Sequence, residues 1–227
     1  MVHPKRNWRE IQLKSFSENM KYLPNDERIN KSRKLLEGDV VLDIGCGNCE
    51  FIKDFKAEKY GIDLNPAYKK ICSSKNVRFI SMNIDGKRLP FPGKSFDCIY
   101  AGEIIEHLFN YEYLISESYR VLKEGGALIL TTPNLTSLQH RFNLLCGKHL
   151  FYMHPKLHPH HLRLFTKSEL IEMLERNGFK VEKVRGNSIA FSYRKFPVLT
   201  PMFVRLADYY PSLANHLIIK ARKVNSR

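Results

Sequence analysis

"VVLDIGCGNCEF", residues 40–51, admits two readings. Cys46 and Cys49 stand as C-x-x-C, the spacing of a redox pair or half a zinc site. Asp43, Gly45 and Gly47 stand as D-x-G-x-G, the spacing of a loop that wraps a nucleotide-like cofactor. The run before the glycines favours the second. VVLDI is nearly continuous apolar sequence, as a strand covered on both faces should be. Glycine directly after such a strand lets backbone approach a ligand or take φ > 0, and a helix beyond it adds free N–H donors. Asp63 lies twenty residues past Asp43, at the end of the next strand-like run, where dinucleotide folds keep the acid that grips ribose hydroxyls. The third glycine of a pyrophosphate loop is missing, and an acid precedes the loop. A carboxylate repels a pyrophosphate and attracts a cation or an amino group. No second C-x-x-C completes a zinc site, so the cysteine spacing reads as coincidence.

The chain then alternates. After CEFIKDF, read as a short helix, KYGIDLN (59–65) is a strand and Pro66 to Cys72 a helix. VRFISMN (77–83) and FDCIYAGE (96–103) are the third and fourth strands. IIEHLFNYEYLISESYRVLKE is helical and stops at Gly125-Gly126, and ALILTTPN (127–134) is the fifth strand. Thr166 and Glu169 make a capping box for a helix ending at Asn177-Gly178. FKVEKV (179–184) and HLIIKARK (216–223) close the pattern. Before it, residues 7–36 read as one or two amphipathic helices broken near Pro24. Such alternation predicts an α/β, Rossmann-like doubly wound, mostly parallel seven-stranded sheet that binds ligands at the carboxyl ends of its strands. Residues 1–227 read as one domain: an N-terminal helical extension (1–37), a cofactor-binding half (38–134) and a substrate-side half (135–227). Insertions are expected at about 135–165 and 187–215.

Charge is unevenly placed. The net charge of +14 resides mainly in residues 136–227, with sixteen Lys/Arg against five Asp/Glu, whereas residues 40–135 carry twelve of each. Seven of the nine histidines also fall in the last stretch. An anionic partner follows as an expectation: nucleic acid, a phospholipid surface or an acidic small substrate. The opening MVHPKRNWREIQLK lacks the apolar centre of a secretory signal. No apolar run approaches the roughly 20 residues of a membrane span. Five scattered cysteines then read as reduced thiols in a cytoplasmic protein.

The stretches VVLDIGCGNCEF, YGIDLN, FISMNIDGKRLPFPGKSFDCIYAGEIIEHL, RVLKEGGALILTTPN and HHLRLFTKSELIEMLERNGFKVEKV, in that order, resemble the class I S-adenosylmethionine-dependent methyltransferases. The likeness is to the type 11 and ubiquinone-biosynthesis-like members and covers about residues 38–185. It implies that Gly45, Cys46, Gly47 and Asn48 lie under the methionine part of the cofactor and that Asp43 holds its amino group. It further implies Asp63 on the ribose hydroxyls with Leu64 beside the adenine. Asn83, Ile84 and Asp85 would lie at the adenine edge, with Asn83 and Asp85 both candidates for the acid-like contact. Ala101 and Gly102 would lie near the sulfonium. Cys49 departs from the family, which often has glycine or another small residue there. The chemistry implied is in-line methyl transfer, to which a protein contributes alignment, a dry site and, where needed, a base.

A second constellation follows the fourth strand. Glu103, Glu106 and His107 stand at i, i+3 and i+4, one face of a helix. Acids favour a helix start in any case, and the resemblance makes His107 a candidate general base. The small-RNA 3′-end ribose methyltransferases look similar here. That likeness would make Glu103, Glu106, His107 and His161 ligands of a divalent metal ion. His158 and His160, in the same HPHHLRLFT stretch, read as surface or lid residues. In the first insertion Leu135, Leu138, Phe142 and Leu145 fall on one helical face, and Arg141 and Lys148 lie elsewhere on it. In the second, Pro201 could open a helix with Met202, Phe203, Leu206 and Tyr210 as its apolar side. These basic, aromatic insertions would wall a substrate pocket. Three functions are weighed. The first is methyl transfer to an oxygen or carbon of a small molecule (a quinone, lipid or glycan precursor), with peripheral contact to an anionic membrane. The runner-up is metal-dependent RNA 2′-O-methylation, and the last is a non-catalytic protein retaining the fold.

Overall fold

The computed structural model describes residues 26–189 and 200–224. Helix α1 (Glu27–Arg33), capped by the Asp26 carboxylate on the Arg28 N–H, leads into β1 (Val40–Ile44). Then come β2 (Glu58–Asp63), α2 (Tyr68–Ser74), β3 (Val77–Ser81), β4 (Phe96–Gly102), α3 (Tyr111–Val121) and β5 (Leu122–Pro133). The chain ends with α4 (Leu138–Leu145), α5 (Lys167–Arg176), β6 (Phe179–Gly186), α6 (Thr200–Tyr209) and β7 (His216–Lys223). The strands form one seven-stranded sheet, ordered β3-β2-β1-β4-β5-β7-β6. The first five strands run parallel, and β7 is antiparallel to both β5 and β6.

The continuous apolar runs are buried on both faces, as parallel strands between helical layers must be. Leu42 and Ile44 pack with Leu114, Ile115, Leu170 and Leu174 on one side, and Val41 packs with Ile29, Leu35, Phe51 and Cys72 on the other. The capping box at Thr166 and Glu169 is formed, with both reciprocal hydrogen bonds. Order 3-2-1-4 makes β1 and β4 the place where successive crossovers leave in opposite directions. The loops after those two strands therefore flank a cleft.

Three expectations are corrected. CEFIKDF forms a series of turns instead of a helix, with Cys49 at its head in the left-handed region at φ 59°. Glu103, Glu106 and His107 do not share a helical face. Glu103 follows β4 at φ 52°, Ile105–His107 is a 3₁₀ turn, and α3 starts only at Tyr111, where the Asp85 carboxylate accepts the N–H groups of Phe109 and Asn110. The cysteines are not all free thiols: Cys49 and Cys72 are joined in a disulfide, because the β1 loop and α2 both close on the space beneath β2. Cys46 and Cys98 are buried and Cys146 is exposed. The part of the N-terminal extension before residue 26, and residues 190–199 of the second insertion, lie outside the described residues.

Candidate active site

The loop after β1 is fixed by its neighbour strand. The N–H groups of Gly45 and Cys46 both donate to the Ile62 carbonyl, at 2.8 and 3.0 Å. Gly45 takes φ 73°, and a β-carbon there would stand 3.1 Å from the Ile104 side chain, so glycine is required. Asp63, at the end of β2, accepts the Gly47 N–H on one oxygen and the Asn65 N–H on the other, each at 2.9 Å. Burial raises its carboxyl, and those two bonds oppose the rise. Asp43 is buried, and its Oδ2 has no hydrogen-bond partner among the described residues. Burial, then the Asp63 charge, pushes its carboxyl well above the usual carboxylate range. A buried carboxyl with an orphaned oxygen is costly unless a donor or cation completes it.

A cavity of about 220 Å³ opens between these loops. Ile62, Leu64, Met82, Ile84, Ile104 and Leu108 make its apolar walls, and Gly45, Asp63, Asn83, Asp85 and His107 supply its polar edge. Asn83 and Asp85 are not equivalent. The Asp85 carboxylate is taken up by Phe109 and Asn110, whereas the Asn83 side-chain oxygen accepts the Asp85 N–H at 3.0 Å. Ala101 is buried at the end of β4, and a β-carbon on Gly102 would strike the Tyr100 hydroxyl at 2.1 Å. The Cys46 side chain lies behind the loop, fully buried. The Asn48 side-chain oxygen accepts the Glu50 N–H.

Beyond the cavity lies a cluster of acids and imidazoles. Glu103 accepts from the Thr131 hydroxyl at 3.0 Å, stands 3.2 Å from His216 Nε2 and 3.8 Å from Arg28 Nη1. Burial would raise its carboxyl, but the Arg28 charge, then His216 and Thr131, hold it well below the usual range. Glu106 is opposite in character. It is fully buried, accepts from Thr132 at 2.9 Å on Oε2, and has no partner on Oε1 among the described residues. Burial and the Glu103 charge push its carboxyl well above its ordinary value. Two neighbouring carboxyls are thereby shifted in opposite directions.

His107 Nδ1 is 3.0 Å from the His160 carbonyl, so that nitrogen carries the hydrogen and Nε2 is the basic one. Burial lowers its pKa. His161 Nδ1 donates to the Tyr152 carbonyl at 2.7 Å, and its ring meets that of His107 at 4.8 Å. Burial, then His107, pushes His161 down to about 4. Of the sequence-derived metal set, Glu106, His107 and His161 converge, with donor atoms within 4.8 Å of one another. Glu103 is instead engaged by Arg28, Thr131 and His216. His158, expected at the surface or in a lid, is half-buried and stacks on His161 at 4.8 Å. Sequence reasoning missed Arg28, Thr131, Thr132 and His216. Two threonines ending a buried strand were a usable signal for Thr131 and Thr132. His216 needed the antiparallel course of β7, which alone carries its first residue to this end of the sheet.

Residues 42–130 match a family model described as a methyltransferase domain. The ubiquinone biosynthesis O-methyltransferase of Xanthomonas euvesicatoria is 30% identical over 165 residues, covering 68% of this chain and 68% of that protein. The chain belongs to the class I S-adenosylmethionine-dependent methyltransferases. The rat mitochondrial ubiquinone biosynthesis O-methyltransferase is 32% identical over 168 residues, 67% of this methyltransferase chain, which spans 48% of that relative's length. The fold is shared with Burkholderia thailandensis 1,6-didemethyltoxoflavin-N1-methyltransferase, solved with S-adenosylhomocysteine, at a TM-score of 0.64 and 15% identity over 96% of this chain and 88% of that one.

S-adenosylmethionine is thus this methyltransferase's cofactor, and the residues present suit it. Asp63 at the polar edge of an apolar cavity suits a ligand with a ribose diol and a flat base. Asp43, one strand position before the Gly45 loop, is buried with an oxygen left for a donor such as an amino group.

Proposed function

We propose that the methyltransferase methylates an oxygen of a small, apolar acceptor held at a membrane surface. Asp63 grips the ribose hydroxyls and Asp43 the amino group. Leu64, Ile84 and Asn83 bound the adenine, and the backbone of Ala101 and Gly102 faces the sulfonium. The cofactor supplies, when bound, a methyl group on a positively charged sulfur. His107 lines the same cavity with its Nδ1 hydrogen committed to a carbonyl, and its Nε2 takes the acceptor's proton as the new bond forms. That single placement carries the reading of oxygen as acceptor atom, and the names of the ubiquinone-biosynthesis relatives support it.

The acceptor's delivery is read from the first insertion. Helix α4 and the loop after it present Leu138, Leu144, Leu145 and Leu157 to solvent, Leu145 at 86% exposure. Residues 136–165 carry four Lys/Arg and no acid. Exposed leucines in a stretch that carries cations and no acid suit an anionic bilayer surface. Extracted lipids incubated with the protein and methyl-labelled cofactor should yield a labelled lipid, and His107→Ala should cut that rate by about 10²-fold or more. Equal rates in parent and variant would overturn the base assignment. A second reading, favoured by the convergence of Glu106, His107 and His161, is cation-dependent methylation of an RNA 3′ end. Chelator-sensitive labelling of 3′-terminal RNA, with none of lipid, would establish it instead.

A further inference from the structure

Cys49 is the member of the cofactor loop that the glycine pattern leaves unexplained. It sits at φ 59°, in the left-handed region where a β-carbon costs about 1–2 kcal/mol. Glycine would be the economical residue there. The side chain at this position nonetheless has a covalent partner: its sulfur is bonded to Cys72 in α2, with a Cα–Cα separation of 5.4 Å and 23 residues between them. Cys72 Sγ lies 3.4 Å from the Gly47 carbonyl, and the Gly47 N–H is the one that Asp63 accepts. The bond therefore joins the loop beneath the cofactor's methionine end to the helix that follows Asp63. Cys46 Sγ stands 3.5 Å from Cys49 Sγ, and all three residues are fully shielded from solvent.

We infer that Cys49 and Cys72 form a thiol–disulfide switch that sets how firmly the loop and Asp63 grip the cofactor. Both sulfurs are shielded in the folded loop, so exchange takes place when the loop opens, and closing then takes a low-molecular-weight disulfide as oxidant. Cys49 and Cys72 give up two protons and two electrons, one S–S bond forms between them, and the oxidant's S–S bond breaks to leave as two thiols. A dithiol reductant reverses the step. Burial, then the charges of Asp43 and Asp63, hold the Cys46 thiol far above its usual pKa. Cys46 thus stays protonated and does not displace Cys72, since only a thiolate attacks a disulfide. Closed, the bond holds the loop in its left-handed turn and keeps the Gly47 N–H on Asp63. Open, Cys49 keeps a disfavoured backbone with nothing to offset it, and loop and helix separate more easily. A cradle ordered in advance binds more tightly than one that must be ordered on binding.

The inference rests on the cofactor reading of the cavity, and the test separates the two. The full chain is treated with oxidised glutathione or with dithiothreitol and then unfolded for alkylation and mass measurement. Five thiols should react in the reduced protein and three in the oxidised one. Calorimetry with S-adenosylhomocysteine should show about three- to tenfold tighter binding to the oxidised form. Cys49→Gly and Cys72→Ser should each abolish that difference, and Cys146→Ser should keep it. Cys49→Gly should also unfold at a higher temperature than the reduced parent, because glycine relieves the backbone. Five reactive thiols after oxidation, equal affinity in both states, or zinc released on alkylation would overturn the switch. Absence of binding in both states, with the cross-link formed, would sink the cofactor site and the switch together.

Discussion

Asp43 and Glu106 are the two buried carboxyls left with an unpartnered oxygen among the described residues, and they call for different tests. Burial and the Glu103 charge raise the Glu106 carboxyl above its value in the unfolded chain, where a glutamate ionises above about pH 4.3. The folded chain therefore holds a proton that the unfolded chain has lost, and stability falls as pH rises beyond that value. Glu106→Gln keeps the Thr132 hydrogen bond and removes the titration. It should raise stability at pH 7 by about 1–3 kcal/mol, because the variant has no proton to take up on folding. Below about pH 4 it should change little. Urea midpoints at the two pH values check the sign, and a destabilised variant at pH 7 would contradict it. Glu103 runs the other way. Its depressed pKa gives a contribution present above the unfolded value and lost as pH falls through the folded one. Asp63→Ala should weaken S-adenosylhomocysteine binding by about 10- to 100-fold in calorimetry, as expected for charge-assisted hydrogen bonds. Gly45 and Asp63 were legible in the sequence because strand, bend and spacing are local. The partners of Glu103 were not, since Arg28 and His216 are 75 and 113 positions away from it along the chain.

At the scale of elements, the strands were readable because burial on both faces imposes an unbroken apolar run. The helices were less so. The start of α3 is set by Asp85, on a loop some two dozen residues earlier, and no periodicity within GEIIEHLFNYEY reveals that. The helix expected at CEFIKDF is a series of turns, and its first residue, Cys49, is left-handed. By contrast the Thr166 cap is wholly local, and Thr166→Ala should cost about 1 kcal/mol of unfolding free energy. Asn134 is a longer-range fastening. Fully buried after β5, its amide nitrogen donates to the Ser212 and Ala214 carbonyls at 3.0 and 2.8 Å, and its oxygen accepts from the Thr136 N–H. Asn134→Ala would orphan several of these groups and should cost about 2–4 kcal/mol in urea unfolding, with cofactor affinity less affected than stability.

For the whole molecule, the charge asymmetry was visible from the first count, but its meaning required knowing where the insertions sit. Helix α4 follows β5 at the carboxyl end of the sheet, and its His140 ring meets Tyr152, which in turn meets His216 of the acid–imidazole cluster. Leu145→Glu should reduce flotation with anionic liposomes by about tenfold or more, given what burying one leucine contributes, and leave S-adenosylhomocysteine binding unchanged. Equal flotation would remove the membrane reading. The sheet itself has a further consequence. Its penultimate position is filled by the strand made last, β7, wedged between β5 and β6. While a ribosome is still extending the chain, residues 40–133 can settle into their five-stranded core, but β6 has no neighbour to zip against until residues 216–223 emerge. Biogenesis should thus run in two stages, with the pocket for the donor assembled before the place where the acceptor is received.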